Sequence, residues 1–292
     1  MTPVKPKIFF LGEPQMHLGT EEDPGVVQWL DHIGGDAAME CLERVSGEDI
    51  EILIELLARR CYKSFAPGLN PNISRVRAES DVFHKNILKS RHGSVTAHGH
   101  VTYAFEDVSR VFTHEIVRNS IGTERSQESL RYVRLTDIRF WIPPIIARET
   151  ETKDMPGPLI SRREMGIPIY SLTPSAIFEM VIETCEWAQA ALATYYDIDN
   201  ISDFGTKKKL TSAFRRVAPL GLATGIGMSF NLRALRWIIE QRTDPAAEEE
   251  IRIVFGMVAD DAIKRWPMLF HDFTKVDTGD GLFQYIPTYS KI

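Results

Sequence analysis

The stretch Ser109–Tyr132, SRVFTHEIVRNSIGTERSQESLRY, decides how this chain is read. It carries Arg110, Arg118, Arg125 and Arg131, interleaved with the hydroxyls of Ser126 and Ser129 and the amide of Gln127. A guanidinium is a planar, permanently charged fork that matches a phosphate, and hydroxyls and amides complete the contacts to a sugar. Glu115, Glu124 and Glu128 stand among the arginines, so the same residues also describe a solvated face laced with Arg–Glu pairs. Composition alone leaves both readings open. Within the stretch, Val108, Val111, Phe112 and Glu115 fall at helical spacing. Just before it, Val101, Tyr103 and Phe105 alternate with Thr102 and Ala104, which is the period of a strand.

Towards the C-terminus, a second concentration of arginine runs from Arg215 to Arg252 and includes Arg216, Arg233, Arg236 and Arg242. On a helix, Arg233, Arg236 and Trp237 project to neighbouring positions. Trp237 there either stacks on a ring system or fills core. Towards the N-terminus, Arg91–His100 reads RHGSVTAHGH. Its histidines lack an HExxH spacing and a carboxylate cluster, so a metal site is not expected. Histidines beside a ligand ring, and histidines of core or surface, remain. There is no GxSxG elbow, no Walker A loop and no GxGxxG turn. Cys61, in ARRCY, sits in an apolar helical pattern and reads as structural rather than nucleophilic.

The remaining pattern is that of an α+β domain. Ser46 and Asp49 make a capping-box-like start for a helix to about Tyr62. Pro143, Pro144, Pro156, Pro158 and Pro168 mark a long exposed connection. Thr173-Pro174 opens a helix through about Tyr196, in the order of cap then proline. Lys207–Arg216 is a basic helix, Gly221–Phe230 a buried strand and Asn231–Arg242 a further helix. Glu248, Glu249 and Glu250 put acid at the positive end of the last one. Nothing marks a clean boundary, so one domain over residues 1–292 is expected, with an irregular extension at 1–45 and a tail at 270–292.

The bulk numbers narrow the class. The chain has 292 residues, 43% hydrophobic and 25% charged, with a formal net charge of -6. That is ordinary for a soluble globular protein and argues against nucleic-acid or membrane-surface partners. Three cysteines without CxxC spacing suggest no disulfide framework and a cytoplasmic setting. No stretch approaches the ~20 apolar residues of a membrane span.

Taken in order, these segments resemble the flavin-dependent thymidylate synthase family. His92-Gly93-Ser94-Val95 is similar to its HExSxxEH element. Val108-Ser109-Arg110 with Thr113-His114-Glu115-Ile116 and Arg118 is similar to its VSR…THxLxR run, and Ser126–Tyr132 to its SQxSxRY ending. Arg215 with Pro219, Asn231-Leu232-Arg233 and Arg242 resemble its ARxxLP…NxR…R pattern, and Ala58–Tyr62 its ARxCY helix. Each piece is weak alone; the ordered set, over roughly residues 50 to 270, is specific.

The resemblance implies a mixed sheet flanked by helices, bound FAD and a homotetramer with sites between subunits. It implies a methyltransferase making dTMP from dUMP, with methylenetetrahydrofolate and NADPH as co-substrates and no cysteine nucleophile. Gln127, Ser129 and Arg131 are then expected on the sugar and phosphate, with Arg110 and Arg215 also facing the nucleotide. Arg242 is expected at the base edge, and with Ser129 nearest the chemistry. Asn231, Arg233 and Trp237 are expected towards the flavin, His92 near the flavin and folate rings, and Arg118 and Asn119 on the flavin side.

The departures fall on that flavin side. The family signature is RHR, then seven residues and Ser. Here Asn119 and Ser120 follow Arg118, and one extra residue precedes Ser129. Trp237 stands where His or Asn is usual, and Ala97 precedes His98 where a Glu is expected. A changed substrate is one alternative: dCMP, methylated or hydroxymethylated, whose exocyclic amine a carboxylate such as Glu124, Glu128 or Glu240 could accept. A non-catalytic nucleotide-binding protein is another.

Overall fold

The computed structural model describes residues 2–130, 137–156 and 169–290. In chain order its strands are β1 (Thr2–Pro3), β2 (Lys7–Gly12), β3 (His100–Ser109), β4 (Thr123–Gln127), β5 (Arg139–Phe140), β6 (Lys153–Pro156), β7 (Ile169–Leu172), β8 (Ala223–Asn231), β9 (Phe273–Asp277) and β10 (Phe283–Pro287). The α-helices are α1 (Val26–Arg44), α2 (Asp49–Tyr62), α3 (Ser80–Lys89), α4 (Gly93–Thr96), α5 (Arg110–Ile116), α6 (Pro144–Ala147), α7 (Pro174–Tyr195), α8 (Phe204–Phe214), α9 (Leu232–Arg242), α10 (Glu249–Arg265) and α11 (Pro267–Phe270). This is the expected α+β class. A four-stranded sheet has the order β2-β3-β8-β4, β1 pairs with β5 in parallel, and β6–β7 and β9–β10 are antiparallel.

Two compact units emerge. The first takes the described residues of Met1–Lys7, Phe105–Val117 and Ser126–Ile226; the second takes Ile8–Ala104, Arg118–Arg125 and the described residues of Gly227–Ile292. In the first, Ile138, Phe140, Ile182 and Leu222 form the core. In the second, Leu30, Ala38 and Cys41 of α1 pack with Leu56 and Phe65. β8 shows the pleat plainly: Thr224, Ile226, Met228 and Phe230 are buried and the residues between them are less so.

Local chemistry sets the helix starts. Ser109 Oγ accepts from Phe112 N, Thr173 Oγ1 from Ala176 N and Asn231 Oδ1 from Ala234 N. Each such cap is worth about 1 kcal/mol. The start of α2 differs from the Ser46/Asp49 expectation. Glu48 is the cap residue, and Glu51 reaches back to its backbone N–H at 3.2 Å. Ser46 N donates instead to Ser80 Oγ, and Asp49 Oδ2 accepts from Met16 N.

Three further expectations change. Residues 26–44 of the supposedly irregular extension are the helix α1, bent where Gly35 takes φ 54° and ψ -146°. Trp29, Leu30, Ile33, Ala38 and Cys41 supply its apolar stripe, which the Gly34-Gly35 pair interrupts. The proline-marked connection contains α6 and the β6–β7 pair. The tail folds as the β9–β10 hairpin, where Tyr285 is buried and its N–H donates to Thr243 Oγ1 at 2.9 Å. Arg252 of α10 pins the hairpin turn through Asp280 and Thr278. Cys61 lies on the exposed side of α2. No helix among the described residues is long and apolar enough to cross a membrane.

Candidate active site

In the first unit, β3 ends at Ser109, whose cap on α5 places Arg110 at the first helical position. Arg110 N donates to Leu222 O, and its Nη2 donates to the carbonyl of Glu128 at 2.9 Å. Glu128 N in turn donates to Gly225 O, and Thr224 Oγ1 lies 3.4 Å from the Glu128 carboxylate. A cavity of about 460 Å³ opens here, lined by Arg110, His114, Gln127, Glu128, Ser129, Arg215 and Pro219 among others. Four residues expected on the nucleotide, Arg110, Gln127, Ser129 and Arg215, are thus brought to one place. Of the other two, Arg131 lies outside the described residues and Arg242, expected at the base edge, does not line this cavity.

The charge balance of this cavity favours an anion. Burial lowers the pKa of Arg110; the Glu128 carboxylate opposes that, and the like charge of Arg215 adds to it. Arg110 Nε is buried and has no hydrogen-bond partner among the described residues. A buried donor without an acceptor is costly, typically about 1–3 kcal/mol or more for a charged group. Arg110 is half-buried and its guanidinium donates to the backbone carbonyl of Glu128, so it is not simply one partner of a solvated surface ion pair.

In the second unit, α9 organises a different cavity, of about 440 Å³. Asn231, Arg233, Ala234 and Trp237 line it with Ala97, Ile121 and Tyr289. Trp237 is 47% exposed, which makes it a wall and not core. Arg236, its neighbour, turns inward to a fork-to-fork pair with Asp272 at 2.8 and 2.9 Å. Asn231 is fixed by its cap on α9 and by donating its N–H to Gly122 O at 2.8 Å. Gly122 takes φ 70°, and a Cβ there would lie 2.4 Å from Asn231 Nδ2, so only glycine fits this turn.

The residues at the altered signature separate. Arg118 is exposed, whereas Asn119 is 4% exposed and its Oδ1 accepts from both Nε and Nη2 of Arg242, at 2.9 and 2.7 Å. His92 caps α4 and meets the Tyr62 ring edge-on at 5.9 Å; neither it nor Arg118 lines the α9 cavity. Reading the sequence missed the Asn119–Arg242 pair, which joins positions 123 apart, and the contribution of Tyr289. No local pattern announces either.

Residues 45–268 match the model of the thymidylate synthase complementing protein family. The chain belongs to the flavin-dependent thymidylate synthase family. It is 31% identical over 202 residues to the flavin-dependent thymidylate synthase of Nitratidesulfovibrio vulgaris, covering 67% of this chain and 71% of the relative. To the enzyme of Corynebacterium diphtheriae it is 25% identical over 236 residues, covering 80% and 82%. The family fold recurs in thymidylate synthase X of Helicobacter pylori, solved with FAD and dUMP, at a TM-score of 0.51 and 19% identity over 76% of this chain and 93% of that one. It recurs also in the UMP/dUMP methylase PolB of Streptomyces cacaoi bound with 5-Br dUMP, at a TM-score of 0.52 and 14% identity over 93% and 96%.

Proposed function

We propose that this chain is a flavin-dependent methyltransferase that converts dUMP to dTMP, with methylenetetrahydrofolate as carbon donor and NADPH as reductant. The observation that carries the reading is the cavity where Arg110 and Arg215 meet Gln127 and Ser129. Two guanidiniums suit a phosphate, and the amide and hydroxyl suit a deoxyribose. Arg131 joins them by resemblance. Arg242 keeps the role that the resemblance gives it: a guanidinium at the base edge that offsets negative charge as the ring is substituted at C5. Asn119, accepting two bonds from Arg242, restricts where that guanidinium can point.

The α9 cavity suits a flavin. Its exposed indole offers a stacking face, Arg233 offers charge to phosphates, and its size lies within the usual range for ligand sites. Asn231, Arg233 and Trp237 would hold the group, which when bound supplies the two-electron redox chemistry of the family. We also assign a homotetramer. In support, α7 exposes Phe178, Val181, Trp187 and Tyr195, the last two at 69% and 82%, which is apolar surface of the kind that partners cover.

Glu128 keeps a second substrate in view, because it is among the residues that line this cavity and a carboxylate accepts from the amine of cytosine. An absorption spectrum of the purified protein, followed by titration with dUMP and dCMP, tests both. A flavin spectrum perturbed by dUMP is expected. Perturbation by dCMP alone would replace uracil with cytosine, and a protein that takes up no FAD would overturn the flavin assignment.

A further inference from the structure

The matched family span ends at residue 268, yet the wall of the α9 cavity continues beyond it: Pro287, Tyr289 and Ser290 line the same space as Trp237 and Arg233. Pro287 ends β10 and Tyr289 and Ser290 follow it, and the segment is bound to α9 at several points. Arg236 Nη2 donates to Tyr289 O at 3.4 Å, and Tyr289 N donates to Asp272 Oδ2 at 3.1 Å. Asp272 is itself the carboxylate that grips Arg236. One turn further along α9, Ser290 Oγ donates to Glu240 at 2.8 and 3.0 Å. The Arg236 guanidinium lies over the Phe273 ring at 4.8 Å, so the root of the hairpin is fastened to the same side chain.

This arrangement has the features of a built site. Arg236 and Asp272 are 3% and 7% exposed, and an ion pair so deep, closed by two hydrogen bonds, holds its partners in one geometry. Two aromatic residues on different elements, Trp237 and Tyr289, line one cavity with largely apolar walls. Arg236 also lines it, and its buried Nε–H has no partner among the described residues. An occupant that is planar and heteroaromatic, with anionic substituents, suits the aromatic walls and the positive charge of Arg233.

We propose that the segment Pro287–Ser290 is part of the flavin site, with Tyr289 contacting the bound ring system and Ser290, through Glu240, holding Tyr289 in place. The proposal rests on the flavin reading of the α9 cavity. Tyr289 is a binding residue in this scheme, and Ser290 a positioning residue. In this scheme the chain carries, outside the family span, a determinant of how tightly it holds flavin.

The test is titration of the full-length apoprotein with FAD, followed by quenching of flavin fluorescence, for wild type, Tyr289→Ala, Tyr289→Phe and Ser290→Ala. Thermal unfolding of each apoprotein controls for the fold. Tyr289→Ala is expected to weaken FAD about tenfold or more, Ser290→Ala by a smaller factor, and Tyr289→Phe little, because it keeps the ring. If wild type binds FAD and Tyr289→Ala and Ser290→Ala bind it as well, the role of the segment is overturned while the flavin reading stands. If wild type itself does not bind FAD, the flavin reading falls and this proposal with it. Should Tyr289→Ala fail to fold, Ser290→Ala decides: unchanged FAD affinity in that variant overturns the strap.

Discussion

The two cavities are of similar size and opposite construction. The one in the first unit is walled by arginine, amide and hydroxyl groups from α5, β4 and the segment before β8. The one in the second unit is walled by an indole, small apolar side chains and a strapped C-terminal segment. The first is assembled from residues clustered in two stretches of chain. The second depends on pairs such as Arg236–Asp272 and Glu240–Ser290, which are 36 and 50 positions apart. Charge recognition of a phosphate needs a few guanidiniums at fixed positions; shape recognition of a flat ring needs walls from wherever the chain can supply them.

Three substitutions bear on that contrast, and the largest effect is expected at Arg242. Arg242→Ala should cut kcat about 10²–10³-fold, the usual loss when a donor to developing charge is removed. Steady-state kinetics beside a thermal melt checks it, and near-normal turnover would take Arg242 out of the chemistry. Next comes the phosphate cavity. Arg110→Ala should weaken dUMP about 10–100-fold by calorimetry, since bonds between charged partners are worth about 1.5–3 kcal/mol. Wild type binding deoxyuridine as tightly as dUMP would show that this cavity does not read phosphate at all.

The smallest expected effect concerns acid. His84, buried in the second unit beside Glu55 and Arg59, has its pKa lowered to about 4, by burial first and by the Arg59 charge second. Unfolding lets it take up a proton near pH 6.5, so its contribution to stability is full above that pH and is lost as pH falls from 6.5 towards 4. The loss amounts to roughly 1–3 kcal/mol by pH 4. Urea midpoints of wild type and His84→Leu across that range measure it. Equal slopes for the two proteins would clear His84 and leave acid sensitivity to the carboxylates.

How much of this was legible in the sequence follows the same division. Arg110, Gln127, Ser129 and Arg215 were legible through the resemblance, whose ordered motifs single them out where composition alone does not, and the structure places the four around one cavity. Helix starts at Thr173 and Asn231 were readable because a cap needs only its next three residues. The start at Glu48 was misread because three nearby polar side chains competed, and contacts from Met16 and Ser80 settled the matter. α1 was hidden because a glycine pair broke its periodicity. Whether Trp237 was wall or core, and that Asn119 would hold Arg242, depended on partners far along the chain.

The strap that closes on α9 also bears on how the protein is handled. A purification tag fused behind Ile292 of this sequence is two residues from Ser290 and the wall of the cavity that we assign to flavin, whereas one fused before Met1 is one residue from the strand that pairs with β5. Preparations tagged at opposite ends should therefore come off a column with different amounts of yellow colour, and the paler one would not be evidence of a flavin-free enzyme.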